Sequence, residues 1–254
     1  MIELKKVSRD LGGFSLNQVS FTIKKGAVVA FVGDNGAGKT TTIKAMFGEL
    51  RIDKGEILMD GESLFKNENL QRVAFFPDSN NVPMDMTLKD YVNYICAVNG
   101  MTKKQTKERS HAVYKMLGLE QYVHKKMGNL SAGWKKRAIM SSVLVRSPEF
   151  IVFDEPTANV DVEAKISFMN ILHELSNIGV TILITSHILE ELQEVANYLI
   201  LIKNGEIVYE KDFDNKTESI AEIYKKTMAE KTDNIKLLKN IYEKNEFGGR
   251  RNGK

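Results

Sequence analysis

The sequence predicts an α/β fold with a mainly parallel core sheet, an antiparallel β subdomain and an inserted helical subdomain. Three observations predict this fold. Short apolar runs bounded by turn residues alternate with longer helical patterns, which is typical of parallel strands joined by crossover helices. A second group of strands alternates apolar and polar residues, as half-solvated antiparallel strands do. A third stretch, residues 87–146, has helical spacing with few strand signals.

The individual elements follow from these patterns in chain order. Half-solvated strands are predicted at residues 2–7, 16–23 and 55–60, and buried strands at residues 28–32, 73–76, 151–153, 181–185 and 198–202. Helices are predicted at residues 41–50, 88–98, 103–117 and 131–145. We therefore expect residues 1–214 to form one domain, with a helical subdomain of about 86–147 inserted in it. Residues 215–254 are expected to add a C-terminal helical extension and a flexible basic tail.

Composition excludes several classes of protein. With 254 residues, 43% of them apolar and 27% charged, the chain matches an ordinary globular protein and is neither disordered nor collagenous. The longest apolar run, residues 27–32, is far shorter than the roughly 18 residues that span a bilayer. The charged start lacks the apolar region of a secretory signal. Cys96 is the one cysteine, which excludes an internal disulfide and a zinc framework and fits a reducing compartment.

The strongest functional signal is a phosphate-binding motif, G-x-x-x-x-G-K-[ST], placed between a predicted buried strand and a predicted helix. Its glycines let the backbone turn N–H groups toward phosphate oxygens, and the helix N-terminus adds a favourable dipole. The lysine supplies charge to the β and γ phosphates, and the threonine supplies a hydroxyl ligand for Mg²⁺. The predicted nucleotide-binding residues are Gly33, Asp34, Asn35, Gly36, Ala37, Gly38, Lys39, Thr40 and Thr41.

Two consecutive carboxylates follow the predicted buried strand at residues 151–153. Ligands of α/β proteins bind at the carboxyl ends of the strands, where Asp154 and Glu155 should lie. We expect Asp154 to hold Mg²⁺ through water and Glu155 to orient or deprotonate the attacking water. An Asp-Glu pair alone is more often a loop cap, but its pairing with the phosphate loop favours the catalytic interpretation.

Three further motifs give the chain a family resemblance over about residues 2–210. They are Leu130-Ser131-Ala132-Gly133, the run from Pro156 to Asp161, and Thr185-Ser186-His187. Together with the phosphate loop they resemble the ATP-binding subunits of ABC transporters, which are P-loop NTPases. The resemblance implies that Asp161 belongs to the D-loop and that His187 contacts the γ-phosphate. It also implies a signature segment that completes the partner's phosphate site, formed by Leu130, Ser131, Ala132, Gly133 and Trp134.

The chain departs from the family pattern at three places. Ala132 and Trp134 stand where the signature usually has glycine and glutamine. Asp78 replaces the Q-loop glutamine; we expect it near Mg²⁺ or the attacking water, and an acidic residue there is a mark of drug and peptide exporters. Phe14 is the candidate for stacking on adenine, with packing within a β-hairpin as the alternative.

The resemblance implies an ATPase that uses ATP and Mg²⁺ and works as a head-to-tail dimer with a second ATP-binding subunit. We expect a transmembrane permease on a separate chain, no nucleic acid, and a cytoplasmic location, peripheral on the inner face of the cell membrane. An exporter of peptides, bacteriocins or drugs is favoured, and an importer is the alternative. A soluble ABC ATPase acting on ribosomes or DNA fits less well, because the chain holds one cassette. A P-loop kinase or GTPase leaves the signature unexplained, and the Asn-Lys-x-Asp guanine motif does not occur in the sequence.

Charge is segregated along the chain. Of 36 basic and 33 acidic residues, residues 101–137 hold ten basic and two acidic ones. Such a run is usually a solvated face. In a subunit that faces a membrane partner, it would also be attracted to an anionic leaflet.

Overall fold

The computed structural model describes residues 1–77, 81–158 and 160–228 of the chain. These residues contain ten β-strands and seven α-helices. The strands are β1 (Ile2–Asp10), β2 (Ser15–Ile23), β3 (Val28–Val32), β4 (Lys54–Met59), β5 (Glu62–Ser63), β6 (Val73–Phe76), β7 (Phe150–Asp154), β8 (Thr181–Thr185), β9 (Tyr198–Lys203) and β10 (Glu206–Asp212). The helices are α1 (Lys39–Met46), α2 (Leu88–Val98), α3 (Lys103–Met116), α4 (Ala132–Leu144), α5 (Val162–Asn177), α6 (Leu189–Val195) and α7 (Ile220–Met228).

The larger sheet has the strand order β10-β9-β3-β8-β7-β6. Strands β9, β3, β8, β7 and β6 run parallel, and β10 is an antiparallel edge strand. The five parallel strands confirm the five buried strands predicted from apolar runs. Such runs are needed because both faces of this sheet are covered. In β3, for example, Val28, Ala30 and Val32 pack into one hydrophobic core while Val29 and Phe31 pack into the other.

The smaller sheet is antiparallel, with the order β2-β1-β4-β5. It packs with α1 over one face of the larger sheet and forms a core around side chains such as Leu4, Phe21 and Ile57. The opposite face of the larger sheet carries α4 to α7 together with the helices that precede α4. The mixed α/β architecture predicted from the sequence, with a parallel core sheet and an antiparallel sheet, is confirmed.

The block α2 to α4 lies between β6 and β7 in the chain, and its helices begin at recognisable caps. The Thr87 hydroxyl accepts a hydrogen bond from the Asp90 N–H at the start of α2. Thr102 and Gln105 form a reciprocal capping box at the start of α3. The predicted bounds of α2 are confirmed, and those of α3 and α4 are correct to within one residue at each end.

Some predicted bounds were wrong. The helix predicted at residues 41–50 is α1, which begins at Lys39 because Gly38, with φ 114°, ends the phosphate loop directly at the helix. It ends at Met46, before Gly48 with φ 71°. Of the helical extension expected in residues 215–254, the part within the described residues is α7, from Ile220 to Met228. The rest of the expected helical extension and the flexible tail expected at residues 248–254 lie outside the described residues. Within the described residues, every helix is too short or too polar to cross a bilayer.

Candidate functional site

Three neighbouring strands end at the same edge of the larger sheet, and each is followed by predicted site residues. The phosphate loop follows β3, Asp154 ends β7, and Thr185 ends β8. Because β8 pairs in parallel with both β3 and β7, these three carboxyl ends are adjacent. This edge is where ligands of open α/β sheets bind. Residues that lie more than 100 positions apart in the sequence are therefore neighbours in space.

The phosphate loop turns on its glycines. Gly36 and Gly38 have φ values of 79° and 114°, in the left-handed region that side chains disfavour. Gly33 is restricted by space instead, because an added Cβ would lie 2.4 Å from the carbonyl oxygen of Ile202. The Ala37 N–H donates to the Asp34 carbonyl at 3.0 Å and closes the turn. Asn35 is exposed at the tip of the loop, and Thr41 is half-buried in the first turn of α1.

Lys39 is the first residue of α1, and its side chain lies back along the phosphate loop. It is 8% exposed. Its Nζ donates to the carbonyl oxygens of Gly33, at 2.6 Å, and Asp34, at 3.2 Å. The ammonium group is thus held on the concave side of the loop, where a phosphate oxygen could exchange with a carbonyl as its partner.

A pair of threonines holds the Asp154 carboxylate. The Thr40 hydroxyl donates to Oδ2 at 3.1 Å, and the Thr185 hydroxyl donates to Oδ1 at 2.6 Å. Thr40 comes from α1 and Thr185 from the end of β8, so the carboxylate joins two elements across the sheet edge. A hydroxyl beside a carboxylate is a suitable oxygen donor set for Mg²⁺.

Glu155 and His187 contact each other next to this group. The His187 N–H donates to Glu155 Oε2 at 3.2 Å, and His187 Nε2 lies 3.2 Å from Glu155 Oε1. Glu155 has φ 50° and its own N–H donates to the Thr185 hydroxyl at 3.0 Å. Burial raises the pKa of Glu155, whereas the charge of His187 opposes that rise. A carboxyl with a raised pKa beside a partly exposed histidine is a reasonable general base.

The signature segment lies at the start of α4. Leu130 is buried, Ser131 is the N-cap residue, and the exposed Ala132 opens the helix. The Ser131 side chain makes no capping hydrogen bond. Gly133 is buried where an added Cβ would lie 2.8 Å from Ala164 Cβ of α5. The signature helix therefore packs closely on the first turn of α5.

The side chains of Asp161 and Trp134 make contacts within their own subunit. Asp161 caps α5 by accepting the Ala164 N–H at 2.8 Å. The Trp134 ring lies 4.4 Å from the Tyr122 ring, and the Arg137 guanidinium lies 4.7 Å from the Trp134 centroid. These contacts give Trp134 a packing role in the helical block. Its approach to a partner's nucleotide stays a prediction.

Phe14 and Asp78 are the remaining predicted site residues. Phe14 is half-buried and lies against the phosphate loop, since a Cβ on Gly38 would lie 2.9 Å from Phe14 Cζ. It also packs on the core between the two sheets. Adenine stacking by Phe14 stays a prediction, with packing as its alternative. Asp78 lies outside the described residues.

Sequence reasoning missed three residues that contact the site. The sequence indicates Thr185 only as part of a motif, yet its hydroxyl donates to Asp154 and accepts the Glu155 N–H. A hydroxyl residue at the end of an otherwise apolar strand was the available signal. Glu191 and Tyr224 carry no local signal, because their partners Thr157 and Asp34 are distant in sequence.

The geometry suits transfer of a terminal phosphoryl group to water. A backbone cradle with a buried lysine can bind phosphates, a hydroxyl and a carboxylate can hold a divalent cation, and an adjacent glutamate can take a proton from water. The same edge of the sheet brings all of these groups together.

Comparison with known proteins identifies the family of the chain. The ABC transporter family profile matches residues 16–158. The chain is 32% identical over 208 residues to the ABC transporter ATP-binding protein NatA of Bacillus subtilis, covering 81% of this chain and 85% of NatA. It is 31% identical over 209 residues to the SkfA peptide export ATP-binding protein SkfE of Bacillus subtilis, covering 81% and 87%. It is also 29% identical over 247 residues to the petrobactin import ATP-binding protein YclP of Bacillus subtilis, covering 93% and 98%.

Solved structures share the fold. The chain resembles an ATP-binding subunit of an ABC transporter with a TM-score of 0.81 and 22% identity, over 90% of this chain and 100% of that one. It also resembles a dimeric ATP-binding cassette in a post-hydrolysis state bound to ADP and Pi, with a TM-score of 0.73 and 23% identity, over 84% and 99%. The fold, the phosphate loop and the matched relatives agree: the chain belongs to the ABC transporter family as an ATP-binding, ATPase-type subunit.

Proposed function

We propose that this subunit hydrolyses ATP to power a separate membrane-embedded permease, and that the transporter exports a peptide, bacteriocin or drug. The observation that carries the hydrolytic part is the contact of Glu155 with His187 beside Asp154, next to Lys39 of the phosphate loop. The proximity of Glu155, Lys39 and Asp154 at one sheet edge supports their proposed roles as base, phosphate-binding cation and magnesium ligand.

In the proposed mechanism, the loop N–H groups and Lys39 bind the β and γ phosphates. Glu155 accepts a proton from the water that attacks the γ-phosphorus, and the bond from that phosphorus to the β–γ bridging oxygen breaks. ADP and inorganic phosphate leave, and the proton passes from Glu155 to solvent. His187 contacts the γ-phosphate and orients Glu155 through the backbone hydrogen bond at 3.2 Å.

The residues present fit a magnesium ion. The Thr40 hydroxyl and the Asp154 carboxylate lie 3.1 Å apart, and hard oxygen donors are what Mg²⁺ prefers. We propose that Thr40 binds the ion directly and Asp154 through water, with Asp78 as a further candidate. When bound, the ion would neutralise charge on the β and γ phosphates.

We further propose that two subunits form a head-to-tail dimer around ATP. Ser131 and the N–H of Gly133 would bind the γ-phosphate of the partner's ATP. The exposed Ser131 hydroxyl, which makes no bond to its own helix, supports this role, because a helix N-terminus favours an anion. The same interface would also include four neighbouring residues: Leu130, Ala132, Trp134 and Asp161.

The direction of transport is inferred from relatives. SkfE is named for peptide export and YclP for petrobactin import, so both directions occur among proteins of similar sequence. The acidic Asp78, at the position where the resemblance marks drug and peptide exporters, favours export. Import is the second candidate function.

We propose the following organisation for the chain in the assembly. Residues 1–214 form the ATP-binding domain, with about 86–147 as a helical subdomain that faces the permease, and residues 215–254 form an extension. The position of α2 to α4 between two neighbouring strands, β6 and β7, supports the insertion. The subunit would then lie on the cytoplasmic face of the cell membrane through its permease.

The substitution Glu155→Gln tests the hydrolytic proposal. The amide keeps the shape of the side chain but cannot accept the proton, so we expect kcat to fall by about 10²- to 10⁴-fold. ATP binding should persist, and the subunit should accumulate as an ATP-bound dimer. Phosphate release and light scattering after gel filtration measure the two effects.

Glu163→Gln is the matched control, because Glu163 is exposed in the first turn of α5. Unchanged phosphate release in Glu155→Gln would remove Glu155 from its proposed role.

A second experiment tests the proposed permease. The tagged subunit is purified from its native membrane, and the integral membrane protein that accompanies it is identified. A transport assay of that pair distinguishes export from import.

A further inference from the structure

Glu191 is a buried carboxylate that has no role in the mechanism proposed above. It lies in the first turn of α6 and is 3% exposed, although α6 is otherwise an ordinary surface helix whose neighbouring Glu190 is exposed. Burying a carboxylate costs free energy unless charge and hydrogen bonds compensate it. The contacts of Glu191 must therefore offset the free-energy cost of its burial.

Three side chains from three different segments converge on this carboxylate. The Thr157 hydroxyl donates to Oε2 at 2.6 Å, and the Ser186 hydroxyl donates to the same oxygen at 2.9 Å. Lys165 Nζ lies 2.6 Å from Oε1. Thr157 and Ser186 are themselves buried, so the two hydroxyl groups depend on Glu191 as their acceptor.

The segments held by Glu191 are those that carry the proposed catalytic pair. Thr157 lies two residues after Glu155, and Ser186 directly precedes His187. The Ser186 hydroxyl also accepts the Ile188 N–H at 3.0 Å, so the backbone is fixed on both sides of His187. The contact of 3.2 Å between Glu155 and His187 joins the same two loops on the side of the phosphate loop.

Lys165 extends the network toward the expected dimer interface. It lies in α5, one turn after Asp161, and α5 contacts Gly133 of the signature helix through Ala164. A second link runs from α4 to the same loop, because Lys136 Nζ donates to the Pro156 carbonyl. Glu191 thus connects both catalytic loops with the helix that the signature rests on.

We propose that Glu191 is a positioning residue for ATP hydrolysis: it holds the Glu155 loop and the His187 loop at the separation that water activation requires. This inference rests on the roles proposed above for Glu155 and His187. Glu191 does not contact the phosphate loop in these interactions, so its loss should change the chemical step and leave ATP binding largely intact.

The test compares variants of the purified full-length subunit. We expect Glu191→Ala to lower kcat on the order of tenfold or more, with the ATP dissociation constant and KM within about twofold of the parent. Thr157→Val removes one of the three contacts without burying an unpaired carboxylate, and should lower kcat in the same sense. Glu190→Gln, on the exposed face of the same helix, is the control with parental kinetics.

A rescue experiment separates positioning from simple destabilisation. In Glu191→Gln the amide oxygen can still accept from Thr157 and Ser186, but the amide N–H₂ then faces the Lys165 ammonium. Adding Lys165→Met removes that conflict, so the double variant should recover much of the kcat lost in Glu191→Gln. Thermal unfolding shows which variants are folded.

Particular outcomes would overturn the inference. Parental kcat in a folded Glu191→Ala, or in Thr157→Val if Glu191→Ala does not fold, would exclude positioning by Glu191. A parallel rise in the ATP dissociation constant would show that Glu191 supports binding instead. Glu155→Gln in the parent background distinguishes failure of the proposed function from failure of this inference. If Glu155→Gln keeps turnover, the proposed function fails. If Glu155→Gln stops turnover but Glu191→Ala does not slow turnover, only this inference fails.

Discussion

Glu155 combines two local features that a sequence does not display. Its φ of 50° lies in a region that costs a non-glycine residue about 1–3 kcal/mol, and the Thr185 hydroxyl and the His187 backbone hold it there. Strained backbone of this kind is concentrated at functional sites. Burial also raises the pKa of the carboxyl group, with the charge of His187 as the main opposing influence.

The raised pKa of Glu155 predicts a pH dependence of hydrolysis. A base must be deprotonated, so kcat should fall as the pH falls through a pKa above the ordinary glutamate value of 4.5. In His187→Ala the lowering influence of the histidine charge is lost, so the acidic limb of the remaining activity should move to higher pH. Single-turnover rates across the pH range measure the limb.

His173→Ala is the control for this prediction, because His173 is exposed on α5 and belongs to no part of the site. Its acidic limb should coincide with that of the parent. A limb that does not move in His187→Ala would mean that the two side chains are not electrostatically coupled during turnover.

At the scale of elements, α7 makes a contact that joins the end of the described chain to the phosphate loop. The Tyr224 hydroxyl donates to the Asp34 carboxylate, and α7 also packs on α6, where the Gln193 side chain accepts the Ile220 N–H at 2.9 Å. The Asp34 carbonyl meanwhile accepts from Lys39 at 3.2 Å. Asp34 is thus the residue through which α7 is connected to Lys39.

Tyr224→Phe should weaken ATP binding. Without its hydroxyl donor, the Asp34 carboxylate is free to turn toward the phosphates and repel them. We expect a loss of about 1 kcal/mol, or about fivefold in the ATP dissociation constant, with little change in kcat at saturating ATP. Equilibrium binding of ATP measures the change, and Tyr94→Phe, at an exposed tyrosine of α2, is the control.

The hydrogen bond between Tyr224 and Asp34 should be insensitive to pH near neutrality. Burial and Asp34 raise the pKa of Tyr224 to about 12, so the phenol stays protonated and able to donate at neutral and mildly alkaline pH. The difference in ATP affinity between the parent and Tyr224→Phe should therefore be constant over that range. A difference that disappears on mild alkalinisation would contradict the assigned hydrogen bond.

The elements themselves show why some bounds were predictable and others were not. The bounds of α2 were predicted from helical spacing in the sequence, and the structure shows that the Thr87 cap starts the helix at the same place. The start of α1 was not, because Lys39 and Thr40 were assigned to the loop by their chemistry although they already have helical backbone geometry. Strand β10 was missed because it is half-exposed at a sheet edge and lacks a continuous apolar run.

At the scale of the whole molecule, the proposed head-to-tail dimer would have a second subunit complete the phosphate site. Ala132 opens α4 in an exposed position next to Ser131, where a bound phosphate of the partner would lie. A negative charge there would stabilise the helix N-terminus of the isolated subunit but repel the partner's γ-phosphate. A negative charge at this position should therefore leave folding of the subunit intact and prevent dimer formation.

Ala132→Glu, made in the Glu155→Gln background, should therefore still bind ATP at its own phosphate loop but remain monomeric. Gel filtration with light scattering in the presence of ATP measures the state. Ala112→Glu, at an exposed alanine of α3, is the matched control and should dimerise. Dimer formation by both variants would place the signature helix away from the interface.

The sequence by itself determined the fold class, the five parallel strands, the phosphate loop and the family. These properties depend on local signals: apolar runs, glycine spacing and short motifs, each contained within a few residues. Only the tertiary structure decided which polar groups meet, since Thr185 with Asp154, Glu191 with Thr157 and Tyr224 with Asp34 join segments that are distant in the chain. Such pairs leave no local pattern, because a hydrogen bond requires proximity in space and sets no spacing along the sequence.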